Sequence, residues 1–490
     1  MKKAIHSYPL FLFLLPVFFV LHGLSENFGL IDWRDASILL AFYLGIAILF
    51  LFVSWLLYKS WLKAALLSFA LLAYQFFFGS VQDISRDIFP GAFINKYSFI
   101  LPFSLLLFIL LLIFLKRKKR ISPKVQLYLN SLFLILTFIE LITLVTLSIR
   151  SEKKQPEQEL TLSPCQNCRQ PDIYIIIADG YPGKNVTQNL LAYDNSGFEK
   201  ELEKRNFSIT DSSRSNYNFT AYSVASLLGM NYLEGIKRVN HDKSDMQICQ
   251  DQLNSSPFIA FLKKSGYDFY NYSIFSFDGN PSYTTPTFLP QKTVPITTQT
   301  FTRRMVRDLW YHLATTFKMP SIIRQYKYGD KINNEKLFRL TEKISATKTD
   351  RPKLVYTHLV MPHHPLYYDS AGNLYPIEKL GDFHYHDKKR RIEYLQYSNR
   401  KLLGLIDKII HSSENPPVIL IAGDHAIREL KEPFDDAYQF QTLCAWRMPD
   451  GQNIDSYKGA SHVNQLRIFM NRQFGQTLPL LKDSTTMIAE

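Results

Sequence analysis

Five apolar stretches crowd the first 150 residues of a 490-residue chain, approximately Leu10–Leu24, Ala36–Tyr58, Ala64–Ser80, Tyr97–Leu115 and Val125–Ile149. A bilayer can shelter such runs, and the second and fifth exceed the ~20 residues a helix needs to cross one. The first is short and contains Pro16, and Lys2 and Lys3 precede it, so a signal peptide is the competing reading. The residues that follow, His22, Ser25, Glu26 and Asn27, offer no small-x-small cleavage site, and four more stretches come after it. It is read as a retained span.

Charge sets the orientation. With a cytoplasmic N-terminus the inner side collects ten Lys/Arg, dominated by Lys116–Arg120, and the outer loops only Arg34, Arg86 and Lys96. The basic block is read as a topology anchor rather than a nucleic-acid or inositide patch. Five spans then place everything after Arg150 outside the cytoplasm. Glu140 falls inside the fifth stretch, where a charge is costly, and needs the bundle interior, a lipid headgroup or a pairing neighbour.

Whole-chain averages conceal this division. A net charge of +13 invites a nucleic-acid reading. Residues 1–150 hold 14 Lys/Arg and 6 Asp/Glu, a net of +8, which leaves +5 for the other 340 residues. No nucleic-acid partner is expected.

The expected organisation is a transmembrane module over 1–150, a linker over 151–170 and an extracytoplasmic domain over 171–490. All four cysteines, Cys165, Cys168, Cys249 and Cys444, lie in the external part, where an even count favours disulfides. Of three pairings the simplest is Cys165–Cys168 with Cys249–Cys444. A zinc site built from the four is disfavoured outside the cell, and a redox CxxC lacks its strand–helix setting.

Within the external part, Asp172–Ala178, Lys353–Val360 and Val418–Ala422 are near-continuous apolar, β-rich runs suited to strands buried on both faces of a parallel sheet. Helical patterns lie between them, so an α/β fold is expected. Each run ends in reactive groups: Asp179-Gly180, His363-His364 and Asp424-His425. Open α/β sheets bind ligands at the carboxyl ends of their strands. Carboxylates and imidazoles converging there suit a divalent metal, zinc first, with manganese or magnesium as alternatives. A further segment, Asn216 to Met230, leads a polar loop through Thr220 and Ser223 into an apolar helix. Thr220 there reads either as a helix cap or as a metal-activated nucleophile at a helix end that steadies an anion.

These motifs together resemble the alkaline phosphatase/sulfatase superfamily over about residues 171–475, and within it the membrane-anchored branch of lipoteichoic acid synthase and the lipid A phosphoethanolamine transferases. The resemblance implies a five-helix membrane module followed by a sulfatase-like α/β domain with a mixed, mostly parallel sheet. PDIYIIIADG is similar to the family's first strand, implying Asp179 as an acidic metal ligand. TAYSVASLLGM resembles the nucleophile segment, implying Thr220 as both nucleophile and metal ligand, with Asn216 and Ser223 at the substrate. IAGDH implies Asp424 and His425 as ligands. PHHP resembles Pro-His-x-Pro, which implies that His363 binds phosphate or assists proton transfer, with His364 as the alternative bearer. SHVNQLRIFMN resembles a late segment of related sulfatase-like proteins, which makes His462 a candidate for the substrate site or a second metal. Sulfatases follow their matured Cys or Ser with x-Pro-x-Arg, whereas Thr220 is followed by Ala221, Tyr222, Ser223 and Val224. That departure argues against sulfate-ester hydrolysis. Asp382-x-x-x-His386 has metal-ligand spacing but sits in a charged loop, read as solvated surface.

The implied activity is transfer of phosphoethanolamine or phosphoglycerol from a phospholipid donor to an envelope glycan or lipid acceptor through a phosphothreonine, at the bacterial inner (cytoplasmic) membrane with the catalytic domain on the periplasmic or extracellular side. A membrane-anchored phosphodiesterase or phosphatase sharing the same residues is the first alternative. A non-catalytic relative in envelope assembly is the second. Tyr181, Tyr222 and Tyr367 are candidates to line the headgroup pocket, and Phe275–Met319 reads as a substrate loop or a structural excursion.

Overall fold

The computed structural model describes residues 8–153, 160, 162–165, 168–283, 293–380, 386–451, 453–454 and 457–490, with the side chains of 150–153, 311 and 325 left out. The chain forms two compact units. One comprises Met1–Glu157 and Pro286–Ile323, the other Gln158–Thr285 and Arg324–Glu490.

The first unit contains α1 (Phe11–Glu26), α2 (Trp33–Tyr58), α3 (Trp61–Ile88), α4 (Tyr97–Arg117) and α5 (Pro123–Lys153). Helices α2 to α5 are long and apolar enough to cross a membrane. At 16 residues α1 falls short of the ~20 needed, so the expected fifth span is not matched by length. It is nonetheless tied to α5. The Phe11 amide, one of the N-terminal amides a helix leaves without an internal partner, donates to Asn130 Oδ1 at 2.7 Å. Asn130 Nδ2 donates back to the Tyr8 carbonyl at 2.8 Å. Glu140 finds its neighbours here: His22 Nδ1 stands 2.9 Å from one carboxylate oxygen, and Ser25 Oγ donates to the other at 2.5 Å.

Residues after Pro286 join this unit although their sequence position places them amid the external domain. Two glycines make room for them. A Cβ at Gly23 would meet Ile296 at 2.7 Å, and one at Gly79 would meet the Gln299 carbonyl oxygen at 2.7 Å.

The second unit is built on a six-stranded sheet in the order β2-β6-β5-β1-β4-β3. Its strands are β1 (Ile173–Ala178), β2 (Phe207–Ile209), β3 (Asp268–Tyr272), β4 (Lys353–Leu359), β5 (Val418–Ala422) and β6 (Cys444–Arg447). The β5-β1-β4-β3 run is parallel, and β6 and β2 close one edge antiparallel, the mixed, mostly parallel sheet expected. Alternation along β1 explains its unbroken apolar sequence. Ile173, Ile175 and Ile177 enter the core beneath α6 (Thr220–Gly229), whereas Tyr174, Ile176 and Ala178 enter the core on the other face. Each buried isoleucine contributes roughly 1.5–3 kcal/mol.

The cysteine expectation is corrected in half. Cys165 and Cys168 are joined, but Cys249 and Cys444 are separate buried thiols. They sit on the helix Lys243–Asn254 and on β6, each filling the core as a small apolar group, and burial pushes the Cys444 thiol up to about 12. The described part of the 151–170 segment is likewise packed. Leu160 and Leu162 lie against that core, and Ser163 exchanges hydrogen bonds with Gln476.

Candidate functional site

Three parallel strands, β5, β1 and β4, end side by side, and the chain leaving each delivers the polar residues. Gly423 lets two of these exits touch: a Cβ there would stand 2.4 Å from the Tyr181 carbonyl oxygen. Gly180, at φ +71°, turns the chain after β1, and its amide donates to Asp424 Oδ1 at 3.0 Å. The Asp179 carbonyl accepts from the His363 amide at 3.0 Å, which fixes the third exit to the first.

The side chains converge. His425 Nε2 lies 3.4 Å from Asp179 Oδ1 and 3.8 Å from Asp424 Oδ2. His358 Nε2 lies 3.7 Å from Asp179 Oδ2. Ligand atoms of Asp179, His363 and His425 all lie within 4.8 Å of one another, as do those of Asp179, His358 and Asp424. These residues are buried except His363, which is half-buried. Among the described residues, Asp179 Oδ1, His358 Nε2, Asp424 Oδ2 and His425 Nε2 have no hydrogen-bond partner. Orphaned buried polar atoms in two overlapping groups that share Asp179 are costly unless something shared satisfies them. Two atoms each bound to one tetrahedral zinc stand roughly 3.4 Å apart, close to the spacings found. The donor set fits a divalent metal.

Tautomers agree with that fit. His425 Nδ1 stands 2.7 Å from the Ala426 carbonyl oxygen, and as donor to it leaves Nε2 a bare lone pair. Burial pushes His425 toward its neutral form. Burial alone would raise the Asp179 carboxyl, but His363, His358 and His425 around it hold it well below the usual carboxylate range.

Beside this cluster, Gly180, His363, His364, Arg391, His425 and Arg428 line a small cleft. Arg428 Nη2 stands 3.4 Å from His363 Nε2, and its guanidinium lies 4.1 Å from the Phe219 ring centroid. Phe219 immediately precedes Thr220, the half-buried first residue of α6. One turn on, Ser223 Oγ donates to the Asp424 carbonyl at 2.5 Å. The nucleophile candidate thus sits at a helix N-terminus tethered on both sides to the chain that carries Asp424 and Arg428. Arg391 is half-buried, and desolvation of its guanidinium lowers it to about 10. Burial, then His363 and the two arginines, lowers His364 to about 3.

Asp179, Asp424, His425 and His363 are therefore brought together, with His364 in the adjoining cleft. Asn216 lies elsewhere in the bonding pattern. Its Oδ1 accepts from the Val463 amide and its Nδ2 donates to the Ser484 carbonyl, bracing the C-terminal segment. His462 pairs with Thr442 Oγ1 at 3.1 Å, and it is absent from both ligand groups found among the described residues. Tyr181, Tyr222 and Tyr367 are fully buried core residues rather than pocket lining. Asp382 lies outside the described residues.

Sequence reasoning missed three residues. His358 is embedded in KLVYTHLV and reads as a strand residue; its signal is that a charged-type side chain occupies an otherwise apolar strand next to the end that carries chemistry. Arg391 closes the charged stretch read as solvated surface, and Arg428 belongs to no motif.

No protein-family model and no curated protein sequence matches the chain. Solved structures that resemble it include the C-terminal periplasmic domain of EcEptC from Escherichia coli, at 11% identity over 64% of this chain and 86% of that one, with a TM-score of 0.39. A protein in the alkaline phosphatase superfamily from Vibrio parahaemolyticus matches at 12% over 66% and 73%, TM-score 0.37. The soluble domain of lipooligosaccharide phosphoethanolamine transferase A from Neisseria meningitidis matches at 12% over 63% and 89%, TM-score 0.34. A likeness at this level decides nothing about chemistry, which has to come from the residues.

Proposed function

We propose that the chain is a membrane-anchored, metal-dependent phospho-group transferase that moves a phosphoethanolamine or phosphoglycerol group from a phospholipid to an envelope glycan or lipid acceptor outside the cytoplasm. The observation that carries this reading is the pair of overlapping carboxylate–imidazole groups that share Asp179, with orphaned buried atoms on Asp179, His358, Asp424 and His425, next to a cleft lined by Arg391 and Arg428.

Asp179, Asp424 and His425 would hold the metal with Thr220, and His358 reaches Asp179 from the neighbouring strand. When bound, a zinc-like ion supplies Lewis acidity to a phosphoryl oxygen and lowers the pKa of a coordinated hydroxyl. Thr220 Oγ attacks the donor phosphorus, a P–O bond forms to Thr220, and the bond to the diacylglycerol oxygen breaks. His363, with Nδ1 turned to the His364 carbonyl at 2.8 Å, presents Nε2 to take the proton that Thr220 gives up and pass it to the departing alkoxide, and it carries the acceptor's proton back to Thr220 in the second step. Arg428 and Arg391 bring positive charge to the phosphoryl oxygens. The acceptor hydroxyl then attacks the same phosphorus, and Thr220 leaves with its oxygen restored. The same residues serve a hydrolase if water is the acceptor.

Thr220→Ala is expected to abolish transfer, and a slow acceptor is expected to trap a phosphorylated Thr220 peptide visible by mass spectrometry. Full activity in the variant would end the proposal. Labelled phospholipid incubated with and without a glycan acceptor separates transfer from hydrolysis.

A further inference from the structure

The segment around residues 294–319 carries a feature that the chemistry does not use. It belongs to the same unit as the membrane helices, and its contacts to α3 and α4 are specific. The Gly79 amide donates to the Gln299 carbonyl at 2.7 Å. Arg304, with its side chain 5% exposed, bonds both Asp83 and Gln299 Oε1. Gln75 Nε2 donates to Thr302 Oγ1 at 2.7 Å, and Tyr97 donates to Asp308 Oδ2 at 2.6 Å. The Phe301 ring lies 5.0 Å from those of Tyr74 and Phe78. Phe301, Arg304 and Asp308, spaced i, i+3, i+7, are therefore one face of this helical segment, turned to the membrane helices.

The opposite face is apolar and bare. Val306 and Trp310 lie on the π-helical turn Val306–Trp310, Leu313 on the helix Tyr311–Thr316 and Phe317 just past its end, and they are 49%, 44%, 38% and 67% exposed. Height along α3 says what covers them. Gln75 and Gly79 lie within the apolar stretch of α3, roughly 20 and 14 Å along the axis from its end at Ile88. Those two deep contacts are made by Thr302 and Gln299; Arg304 pairs with Asp83, roughly 8 Å from that end, and Asp308 meets Tyr97, the first residue of α4, so the segment rises to the outer end of the helices where the stripe begins, at the level of the bilayer interface. That end of α3 is the one the charge bias puts outside.

We propose that residues 294–319 form an arm lying in the outer leaflet, with the Val306–Trp310–Leu313–Phe317 stripe seated among lipid acyl chains. The partner is the bilayer itself. The arm is an in-plane element inserted into the sequence of the catalytic unit, and its amphipathic character fits an interfacial helix.

The test uses the full chain in nanodiscs of phosphatidylethanolamine and phosphatidylglycerol. Val306→Cys, Leu313→Cys and Phe317→Cys are labelled singly with an environment-sensitive fluorophore, the native cysteines being disulfide-bonded or buried. Leu110→Cys on α4 serves as the lipid-exposed reference. The expected result is several-fold quenching at all three arm positions by lipids spin-labelled on the acyl chain, as at the reference, with little quenching by aqueous iodide. Dominant iodide quenching at 313 and 317 would overturn the proposal. Gly79→Ile, which intrudes on Gln299 and Arg304, is expected to release the arm and shift Phe317→Cys from lipid to iodide quenching while the Leu110→Cys signal stays put. An unchanged quenching ratio at 317 counts against the latch that holds the arm at this depth.

Discussion

His358→Phe separates a metal-site role for this histidine from a packing role. The ring is fully buried and stands edge-on to Phe275 and Tyr356, so phenylalanine conserves its volume and aromatic contacts. Two things are lost: Nε2, unpartnered and 3.7 Å from Asp179, and Nδ1, 3.2 Å from the Tyr356 hydroxyl. The second loss costs about 1 kcal/mol whether or not metal is present. The first appears only with metal. Partners of this kind change metal affinity about 10–100-fold. Zinc at a hundredfold excess over its Kd stabilises the parent by about 2.7 kcal/mol, whereas a hundredfold weaker site gains only about 0.4 kcal/mol from the same zinc. For a unit of this size the difference of about 2.3 kcal/mol corresponds to roughly 4 °C in Tm. Chelator-stripped protein is melted with and without zinc, and free zinc is fixed by a competing chromophoric chelator. An equal zinc-induced rise in parent and variant would refute a metal-site role for His358.

Further outcomes follow from other residues. Burial lowers the His462 pKa from 6.5 to about 4, so below 6.5 the unfolded chain binds a proton that the folded one refuses. Stability from this group is complete above that pH and is lost as pH falls toward 4, by about 3 kcal/mol; urea unfolding across pH should show that limb, flattened in His462→Gln. Gly423→Ala forces a Cβ against the Tyr181 carbonyl, costing about 1–3 kcal/mol in chemical denaturation and lowering kcat through displaced Asp424. Arg428→Ala removes a charged contact to the phosphoryl group worth about 1.5–3 kcal/mol, read as a fall in kcat/KM with zinc content unchanged. Parent-like kcat/KM would remove Arg428 from substrate recognition.

What the sequence made legible follows burial. Strands β1, β4 and β5 lie in the sheet interior, so both faces had to be apolar, and the expected runs Asp172–Ala178, Lys353–Val360 and Val418–Ala422 match them within a residue or so. Edge strands β2 and β3 have no such constraint; Phe207–Ile209 is three residues long and Asp268–Tyr272 is broken by Asp268 and Asn271. Asp179, Asp424 and His425 were visible because strand ends expose chemistry in dipeptides. His358 was hidden because its role depends on β4 lying beside β1 in register, with Ile177 opposite it. Asn216 and His462 looked functional because polar residues in apolar surroundings read alike whether they brace a turn or touch a substrate. The arm was unreadable for a related reason: its partners Gln75, Gly79 and Asp83 are more than 200 residues away.

The inserted arm also changes how the molecule can be cut. The chain passes between its two units three times, near 157, 285 and 323. A protease acting in the segment before Gln158 would leave only residues 286–323 covalently joined to the other unit, and the helical fragment would copurify through its contacts with that inserted segment. A fragment beginning at Gln158 would carry the arm without the helices that pair with Arg304 and Asp308, exposing a buried guanidinium and an apolar stripe together. A soluble catalytic piece therefore has to omit residues 286–323 as well, with its two chain ends rejoined.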